Sequence, residues 1–196
     1  MKAITIISFI LFSYLCGSLP IGVILGKLKG KDPREVGSKN IGATNVMRAA
    51  GKFMGILTLI GDMAKGAVPV ILACLFFDNP YIIAISALAV FIGHIFPIFL
   101  KFKGGKGVAT AVGVYLVISP LSVVMAIFLF IAIVYKWRYI SLASISCAAA
   151  MPVFIGFLSS KKLYILLAII MGAIIILRHK DNIKRLINHK ENKFTI

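Results

Sequence analysis

The sequence predicts an all-α, polytopic membrane protein with seven transmembrane helices, the N-terminus outside and the C-terminus in the cytoplasm. Hydrophobic residues make up 60% of the 196 positions, and the mean hydropathy is +1.01. Soluble domains are nearer half apolar and a quarter charged, so this composition is typical of a membrane protein. The length suits one integral-membrane domain, residues 1–196, and leaves no room for a separate soluble domain.

Each apolar segment is assigned to one helix, because about 20 helical residues cross the hydrocarbon core of a bilayer. The segments are Ile4–Leu25, Phe53–Phe77, Tyr81–Leu100, Val108–Ile118, Leu121–Tyr135, Ser141–Leu158 and Leu163–Leu177. The first is interpreted as an uncleaved span, since Leu15 beside Cys16 is too bulky for most signal cleavage sites. All three cysteines fall inside apolar segments without metal or redox spacing, and we expect buried free thiols there.

The fourth and fifth segments are either two spans joined by a turn at 119–120 or one long helix kinked there. The distribution of Lys and Arg decides between these two topologies. With a turn there, the connections 26–52, 101–107 and 136–140 and the tail 178–196 share one side and carry 18 of the 22 cations. Cytoplasmic loops are enriched in Lys and Arg, so the sequence favours seven spans. The net charge of +16 lies in short connections between apolar segments, which argues against nucleic acid as a partner.

The longest polar connection, residues 26–52, contains two glycine-led turns that run into a helix start. Such turns present backbone amides and small hydroxyls to an anion. Arg48 lies one turn beyond Thr44 and would bind the same ligand in a bidentate manner. An ordinary helix cap and loop is the alternative. The candidate binding residues are Gly37, Ser38, Asn40, Gly42, Thr44, Asn45 and Arg48.

A second polar stretch, "KFKGGKG" at 101–107, precedes the fourth apolar segment. It is not a nucleotide-binding P-loop, because Lys106 is followed by Gly107 and the first glycine position holds Leu100. Its glycines still allow backbone amides to approach an anion at the start of a helix. A basic cytoplasmic loop is the alternative, although that role does not require three glycines. The candidates are Gly104, Gly105, Lys106, Gly107 and Thr110.

The basic tail carries His179, Asn182 and Arg185 at three-residue spacing. This spacing predicts one helix face that can hydrogen-bond a phosphate or a hydroxyl. A basic helix lying on anionic lipid is the alternative. Ser141 and Ser144 open the sixth segment after a basic turn, and they are candidates on the same predicted side of the membrane.

Ionisable residues also occur inside the apolar segments. Asp62 and Lys65 are spaced i, i+3, and the cost of charge in a bilayer predicts that they pair or line a polar cavity. For His94 a structural hydrogen bond to a neighbouring helix and a ligand role are both open. The candidate groups together offer many donors for anions and almost no carboxylates that could act as bases.

Three stretches, "GSKNIGATNVMR", "GHIFPIFLKFKGGKGVAT" and "RHKDNIKRL…KEN", resemble in this order the signature regions of the acyl-phosphate:glycerol-3-phosphate acyltransferases, the PlsY family. "CGSLPIG" and "GDMAKGAVPV" resemble that family too. The resemblance implies a seven-span enzyme of the bacterial inner membrane with a cytoplasmic active site. It would transfer an acyl chain from acyl phosphate to the 1-hydroxyl of glycerol 3-phosphate, the first acylation of phospholipid synthesis, with no cofactor and no metal. Membrane lipids and transient contact with the soluble acyl-phosphate-forming enzyme are the expected partners, and nucleic acid is not.

The resemblance, with the chemistry of the residues, also assigns roles. Catalysis is assigned to His179, Asn182, Lys106, Arg48 and Ser38, and the other candidates are assigned to substrate binding. Among the serines, Ser144 is preferred to Ser141 for the acyl phosphate. The general base is either His179 or a phosphate of the substrate, and the scarcity of carboxylates favours the phosphate. An activated acyl phosphate requires no covalent acyl-enzyme.

The chain departs from the family pattern at two glycines. Lys39 and His189 stand where the family often has glycine. A histidine in place of glycine changes the expected backbone geometry next to Glu191, the final acidic residue of the family pattern. We therefore leave Glu191 outside the candidate site.

Two other function classes are weighed. A transporter for a phosphorylated molecule would place polar groups near the midplane and reach both faces, and a lipid-binding scaffold would use only the basic loops.

Overall fold

The computed structural model describes residues 2–158 and 161–194 of the chain. Within these ranges the regular structure is entirely helical, with ten α-helices, one short 3₁₀ helix and no β-strand. The all-α prediction is therefore confirmed. The chain divides into two compact units, one up to Val117 and one from Ile118 onward, and each is described by itself.

The first unit contains six helices: α1 (Lys2–Ser18), α2 (Ile21–Leu28), α3 (Ala43–Ala50), α4 (Lys52–Phe76), α5 (Pro80–Ile95) and α6 (Val108–Ile118). Pro20 separates α1 from α2, because proline has no N–H for the helical ladder. Asn79 caps α5, since its side chain accepts a 2.9 Å hydrogen bond from the backbone N–H of Tyr81. A 3₁₀ helix, Ile98–Leu100, follows α5.

Glycines bring the helices of the first unit close together. Gly17 of α1 lies against the carbonyl oxygen of Val90 in α5, and Gly66 of α4 lies against the carbonyl oxygen of Thr110 in α6. A Cβ atom at either glycine would collide with that backbone oxygen. Small residues at helix contacts are the usual means of close packing in membrane proteins, where burial from water contributes little.

The second unit contains α7 (Pro120–Trp137), α8 (Ile140–Leu158), α9 (Lys162–Arg178) and α10 (Lys180–Ile187). The middle helix, α8, packs against both α7 and α9. The last two helices meet at His179, where the axis bends by 59°. The end of the chain returns to the turn before α8, because the backbone N–H of Phe194 donates a 2.6 Å hydrogen bond to the carbonyl of Arg138.

The helices match the predicted segments, with three corrections. The first segment is not one helix, because it is broken between α1 and α2, although Ala3–Leu28 as a whole is long and apolar enough for one span. The third segment has the extent of the apolar span Pro80–Leu100, but its α-helix ends at Ile95, and the 3₁₀ helix completes the span. Cys74 is exposed on the surface of α4 rather than buried. The break at Ser119 does separate α6 from α7, in agreement with the predicted turn. Among the described residues, five helices are long and apolar enough to cross a membrane, or six if the bent pair α9–α10 counts as one span, so the count of seven stays a prediction.

Candidate active site

The polar loop before α3 is organised around the buried side chain of Asn45. Its amide nitrogen donates to the carbonyls of Pro33, Val36 and Asn40 at 2.7, 3.1 and 2.8 Å. Its amide oxygen accepts from the backbone N–H of Ser38 at 2.9 Å. With 2% of its surface exposed, Asn45 holds the loop together. This differs from the expectation that Asn45 contacts substrate, because its donors are already used by the loop.

The turn around Ser38 requires backbone conformations that favour glycine. Gly37 has φ +60° and Lys39 has φ +56°, so Lys39 keeps the left-handed conformation at a position where glycine is the family pattern. A Cβ at Gly37 would also lie 2.5 Å from the side-chain oxygen of Asn45. The turn leaves Ser38 exposed, and Arg48 in α3 is exposed as well. Both side chains therefore have access to a ligand.

The remaining candidates of this loop lie at the start of α3. Gly42 is the residue that precedes the helix, with extended backbone, and no side chain there caps the first turn. Asn40, Gly42 and Thr44 are half-buried. The first amides of α3 and the Thr44 hydroxyl are thus the type of donor set that binds anions at helix N-termini.

Asp32, in the same loop, is neutralised by a neighbouring cation. Arg34 donates from Nε to Oδ1 at 2.9 Å and from its terminal nitrogen to Oδ2 at 2.6 Å. These hydrogen bonds hold the pKa of Asp32 at about 2, below its ordinary value. The carboxylate of Asp32 is therefore a poor proton acceptor near neutral pH.

A buried ion pair lies inside the first unit. The Lys65 ammonium is 2.9 Å from Oδ1 of Asp62 and donates a 2.8 Å hydrogen bond to the carbonyl of Leu19, at the break between α1 and α2. The imidazole Nδ1 of His94 lies 3.7 Å from the same carboxylate oxygen. The predicted pairing of Asp62 with Lys65 is confirmed, and His94 joins it as a third member.

The glycine turn that precedes α6 rests on the end of α5. The backbone N–H of Gly104 donates to the carbonyl of Ile95, and that of Gly105 donates to the carbonyl of His94, both at 3.2 Å. The expectation that these two amides face an anion is therefore corrected, because both are used within the fold. Gly107 has φ +83° and needs glycine for that conformation. Lys106, between Gly105 and Gly107, is half-buried.

Thr110 also has a different position from the one expected. It lies in the first turn of α6 but is completely buried, and its backbone oxygen packs against Gly66 of α4. Its backbone therefore belongs to the packing of two helices, while its buried hydroxyl has no hydrogen-bond partner among the described residues, so its assignment to substrate binding stays a prediction.

In the second unit a carboxylate collects three of the predicted polar residues. Oε1 of Glu191 accepts from the hydroxyl of Ser141 at 2.8 Å and from the amide of Asn182 at 2.6 Å. Its Oε2 accepts from Nε of Arg185 at 2.6 Å. We call Ser141, Asn182, Arg185 and Glu191 the tail cluster. Burial raises the pKa of Glu191, but the three donors outweigh burial and leave the pKa below its ordinary value.

His179 lies at the bend between α9 and α10 as the residue that precedes α10, and its carbonyl accepts a 2.9 Å hydrogen bond from the backbone N–H of Ile183 in that helix. The imidazole is 3% exposed. Its Nδ1 lies 2.8 Å from the carbonyl of Ile175. A carbonyl only accepts, so Nδ1 carries hydrogen and, in the neutral ring, Nε2 is the basic nitrogen. Ser144 donates a 2.9 Å hydrogen bond to the carbonyl of Ile140, one turn earlier in α8.

Sequence reasoning left one residue of this arrangement outside the candidate site. Glu191 is the centre of the tail cluster, and the signal for it was its place as one of two acids in an otherwise basic tail. His189, at φ +53°, adopts the left-handed conformation that glycine favours, so the backbone turn before Glu191 forms with histidine at this position. His94, by contrast, was considered in the sequence with two open roles, a structural hydrogen bond and a ligand role, and the structure places its ring between Asp62 and Gly105.

Comparison with known proteins gives one consistent result. The family model described as glycerol-3-phosphate acyltransferase matches residues 7–189. A glycerol-3-phosphate acyltransferase of Geotalea daltonii is 48% identical over 188 residues, which cover 96% of this chain and 97% of the relative. One of Syntrophotalea carbinolica is 50% identical over 188 residues, which cover 94% and 95%.

Solved structures are similar as well. A crystal structure of PlsY (YgiH), an integral membrane glycerol 3-phosphate acyltransferase in its glycerol 3-phosphate form, matches with a TM-score of 0.93 and 40% identity, covering 97% of this chain and 96% of the other. The lysophosphatidic acid form matches with a TM-score of 0.89 and 37% identity over the same shares of the two chains.

Proposed function

Because this chain belongs to the glycerol-3-phosphate acyltransferase family, we propose that it transfers an acyl chain from acyl phosphate to the 1-hydroxyl of glycerol 3-phosphate. The hydroxyl oxygen forms the new bond to the acyl carbon, and the bond from that carbon to the phosphate oxygen breaks. Phosphate leaves with the electron pair, and the hydroxyl proton passes to a base. The products are 1-acylglycerol 3-phosphate and inorganic phosphate.

The observation that carries this proposal is the state of the carboxylates. The chain has six Asp and Glu residues, and the three with defined partners, Asp32, Asp62 and Glu191, are each held by cationic, amide or hydroxyl donors. Such groups are poor bases. An acyl donor with a good leaving group needs less base assistance, and a mixed anhydride with phosphate is such a donor.

Phosphate binding is assigned to the exposed and half-buried donors of the first unit. Ser38 and Arg48, with the start of α3, and Lys106, before α6, supply hydroxyl, cationic and backbone donors of the types that bind phosphate oxygens. Their contribution is to hold the reacting groups together and to stabilise the charge that develops on the carbonyl and the departing phosphate. In the second unit, Ser144 is assigned to the acyl phosphate.

His179 and Asn182 are assigned to the glycerol 3-phosphate hydroxyl. The bond from Nδ1 to Ile175 gives the neutral imidazole a basic Nε2, which suits it to accept a hydrogen bond or a proton. A phosphate of the substrate is the other acceptor, and we favour it because the ring is buried. Replacing His179 with Gln separates the two: a substrate base leaves the pH dependence of kcat in place, and a histidine base removes it.

The seven-span arrangement, with the N-terminus outside and the functional loops in the cytoplasm, is part of the same proposal. It rests on the distribution of Lys and Arg and on the helix break at Ser119. Topology reporters at 26–52, 101–107 and 178–196 should all give a cytoplasmic signal. A cytoplasmic signal at the connection that contains Lys161 and Lys162 would rule the arrangement out.

Donor specificity tests the proposed reaction directly. The purified protein, given labelled glycerol 3-phosphate, should form labelled 1-acylglycerol 3-phosphate with acyl phosphate and none with acyl-CoA or acyl carrier protein. No acyl group should remain on the protein after acid quenching, since no acyl-enzyme is expected. Equal rates with acyl-CoA, or a stable acyl-enzyme, would contradict the proposal.

A further inference from the structure

His94 lies near the C-terminal end of α5, between the buried ion pair and the glycine turn. Its side chain is 3% exposed, and Nδ1 is 3.7 Å from Oδ1 of Asp62. The opposite edge of the ring faces Gly105. A Cβ atom at Gly105 would collide with Nε2 and would lie 3.0 Å from Cε1 and 3.3 Å from Cδ2. One imidazole therefore contacts the carboxylate on one side and the turn on the other.

The turn has further contacts to the same helix end. The amides of Gly104 and Gly105 donate to the carbonyls of Ile95 and His94. Consecutive Cα atoms are about 3.8 Å apart, so a displacement of Gly105 is passed directly to Lys106, the next residue. The position of the lysine thus depends on how closely the turn approaches the imidazole.

The carboxylate of the ion pair lies against the Nδ1 edge of the ring, at 3.7 Å. Lys65 contacts Asp62 at 2.9 Å and donates to the carbonyl of Leu19, so the carboxylate is tied to the break between α1 and α2. Separating the two buried charges would leave each without its partner, which costs free energy. The carboxylate of Asp62 therefore keeps its position beside the imidazole of His94. The chain of contacts runs from Leu19 through Lys65 and Asp62 to His94, and it lies entirely within the first unit.

We propose that His94 is a positioning residue for Lys106: its imidazole, held by the Asp62–Lys65 pair, sets where the glycine turn lies and so where the lysine meets a phosphate. This inference rests on the proposed function, which makes Lys106 a phosphate contact. It also explains why position 105 requires glycine, because any Cβ atom there would collide with the imidazole of His94.

The test is a rescue between positions 94 and 105. Gly105→Ala places a methyl group against the ring. His94→Asn removes the ring edge that the methyl group meets, while its amide nitrogen occupies roughly the place of Nδ1 beside Asp62. If the ring is the reason for glycine, alanine at position 105 should be harmful in the wild-type background and tolerated in the His94→Asn background.

Gly104→Ala is the matched control. A Cβ there would meet the carbonyl oxygens of His94 and Ile95 and Cδ of Pro97, which the His94→Asn substitution leaves in place. Alanine at position 104 should therefore be equally harmful in both backgrounds. This control separates a specific contact from a general loosening of the turn.

The readouts are the KM values for both phosphate-bearing substrates and the thermal midpoint. Gly105→Ala should raise the KM for one substrate about tenfold, and in the double variant that KM should return to within about threefold of His94→Asn alone, a coupling typical of contacting residues. His94→Asn alone should raise the same KM, whereas a loss of folded protein would lower the maximal rate only. If Gly105→Ala prevents purification, recovery of folded yield in the double variant is the supporting result.

Two results would overturn the inference. One is an equal penalty for Gly105→Ala with and without the imidazole, which would mean that ligand approach or backbone conformation requires the glycine. The other is full tolerance of Gly105→Ala. If the wild-type protein itself showed no acyl transfer, the proposed function would fail, and the coupling in thermal midpoint would still decide whether the ring supports the turn.

Discussion

Replacing Glu191 with Gln changes one atom of the tail cluster and removes its negative charge. The wild-type carboxylate accepts from Ser141 and Asn182 on Oε1 and from Arg185 on Oε2. A glutamine amide has one oxygen and one NH₂ group. Its oxygen can therefore accept hydrogen bonds either from Ser141 and Asn182 or from Arg185. Its NH₂ group then faces the remaining donors and cannot accept from them.

The magnitude follows from the two orientations of the amide. With the oxygen towards Ser141 and Asn182, the charge-assisted bond from Arg185 is lost, which is worth about 1.5–3 kcal/mol. With the oxygen towards Arg185, the two hydrogen bonds that the charged carboxylate accepts from Ser141 and Asn182 are lost, at about 1.5–3 kcal/mol each. The first orientation is the less costly, so docking of the tail weakens by about 1.5–3 kcal/mol, or roughly 10- to 100-fold in its equilibrium constant.

Amide hydrogen exchange across α10 measures this loss. Protection of the α10 amides should fall by about 10- to 100-fold in Glu191→Gln, and acyl transfer should fall because Asn182 is no longer held. Asp181→Asn is the control, since it removes the same charge from an exposed position on the same helix and should change protection by less than about threefold. Unchanged protection in Glu191→Gln would refute the role of the tail cluster.

The same cluster predicts a pH dependence. The pKa of Glu191 is lowered in the folded protein, so its stabilising contribution is present above the ordinary glutamate pKa and is lost as the pH falls through the lower, folded pKa. Protection of α10 in the wild type should therefore decline under acidic conditions, and Glu191→Gln should show a smaller decline. Equal acid sensitivity in both proteins would assign the effect to other groups.

Three further predictions concern residues away from the tail cluster. Asp62→Asn should reduce folded yield, because an unpaired buried Lys65 costs about 3–5 kcal/mol, and adding Lys65→Met should restore yield; full yield in the single variant would show that the pair is incidental. Asn45→Ala should abolish acyl transfer and expose the loop at 33–45 to proteolysis, since it removes four hydrogen bonds worth about 0.5–1.5 kcal/mol each; an intact, active loop would refute this. His189→Gly should change the free energy of unfolding by no more than about 1 kcal/mol, because relief of the left-handed strain offsets the greater freedom of glycine when unfolded; a larger loss would show that the imidazole itself has a role.

The helices could be predicted from the sequence because long apolar segments report directly on burial in lipid. The break at Ser119 was predicted from charge, since only a turn there places the basic connections on one side. The end of α5 was not, because apolar residues continue through the 3₁₀ helix, Ile98–Leu100, and hydropathy does not distinguish it from an α-helix. The helix α3 lies inside a polar loop and carries too few apolar residues for this signal.

The sequence identified candidate residues by their chemical type, but it did not predict which groups they contact. Asn45 and Ser38 are equally plausible donors in the sequence, yet Asn45 is buried with its amide used by the loop and Ser38 is exposed. The glycines were ambiguous for the same reason. A glycine that leaves space for a ligand and one that leaves space for a neighbouring imidazole, as Gly105 does, cannot be distinguished in the sequence. The long-range contact from Phe194 to Arg138, which returns the tail to α8, leaves no local pattern at all.

The most direct test of the account measures both products of the reaction in wild type, Lys106→Ala and Lys101→Ala side by side. The wild type in lipid vesicles should release 1-acylglycerol 3-phosphate and inorganic phosphate in equal amounts from acyl phosphate and glycerol 3-phosphate. Lys106→Ala should lose about 10- to 100-fold in rate, the loss expected for a charge-assisted contact. Lys101 is exposed before the turn, so Lys101→Ala should keep most of the rate. Release of phosphate without the acylated product, or equal losses in the two variants, would contradict phosphate-directed acyl transfer at this loop.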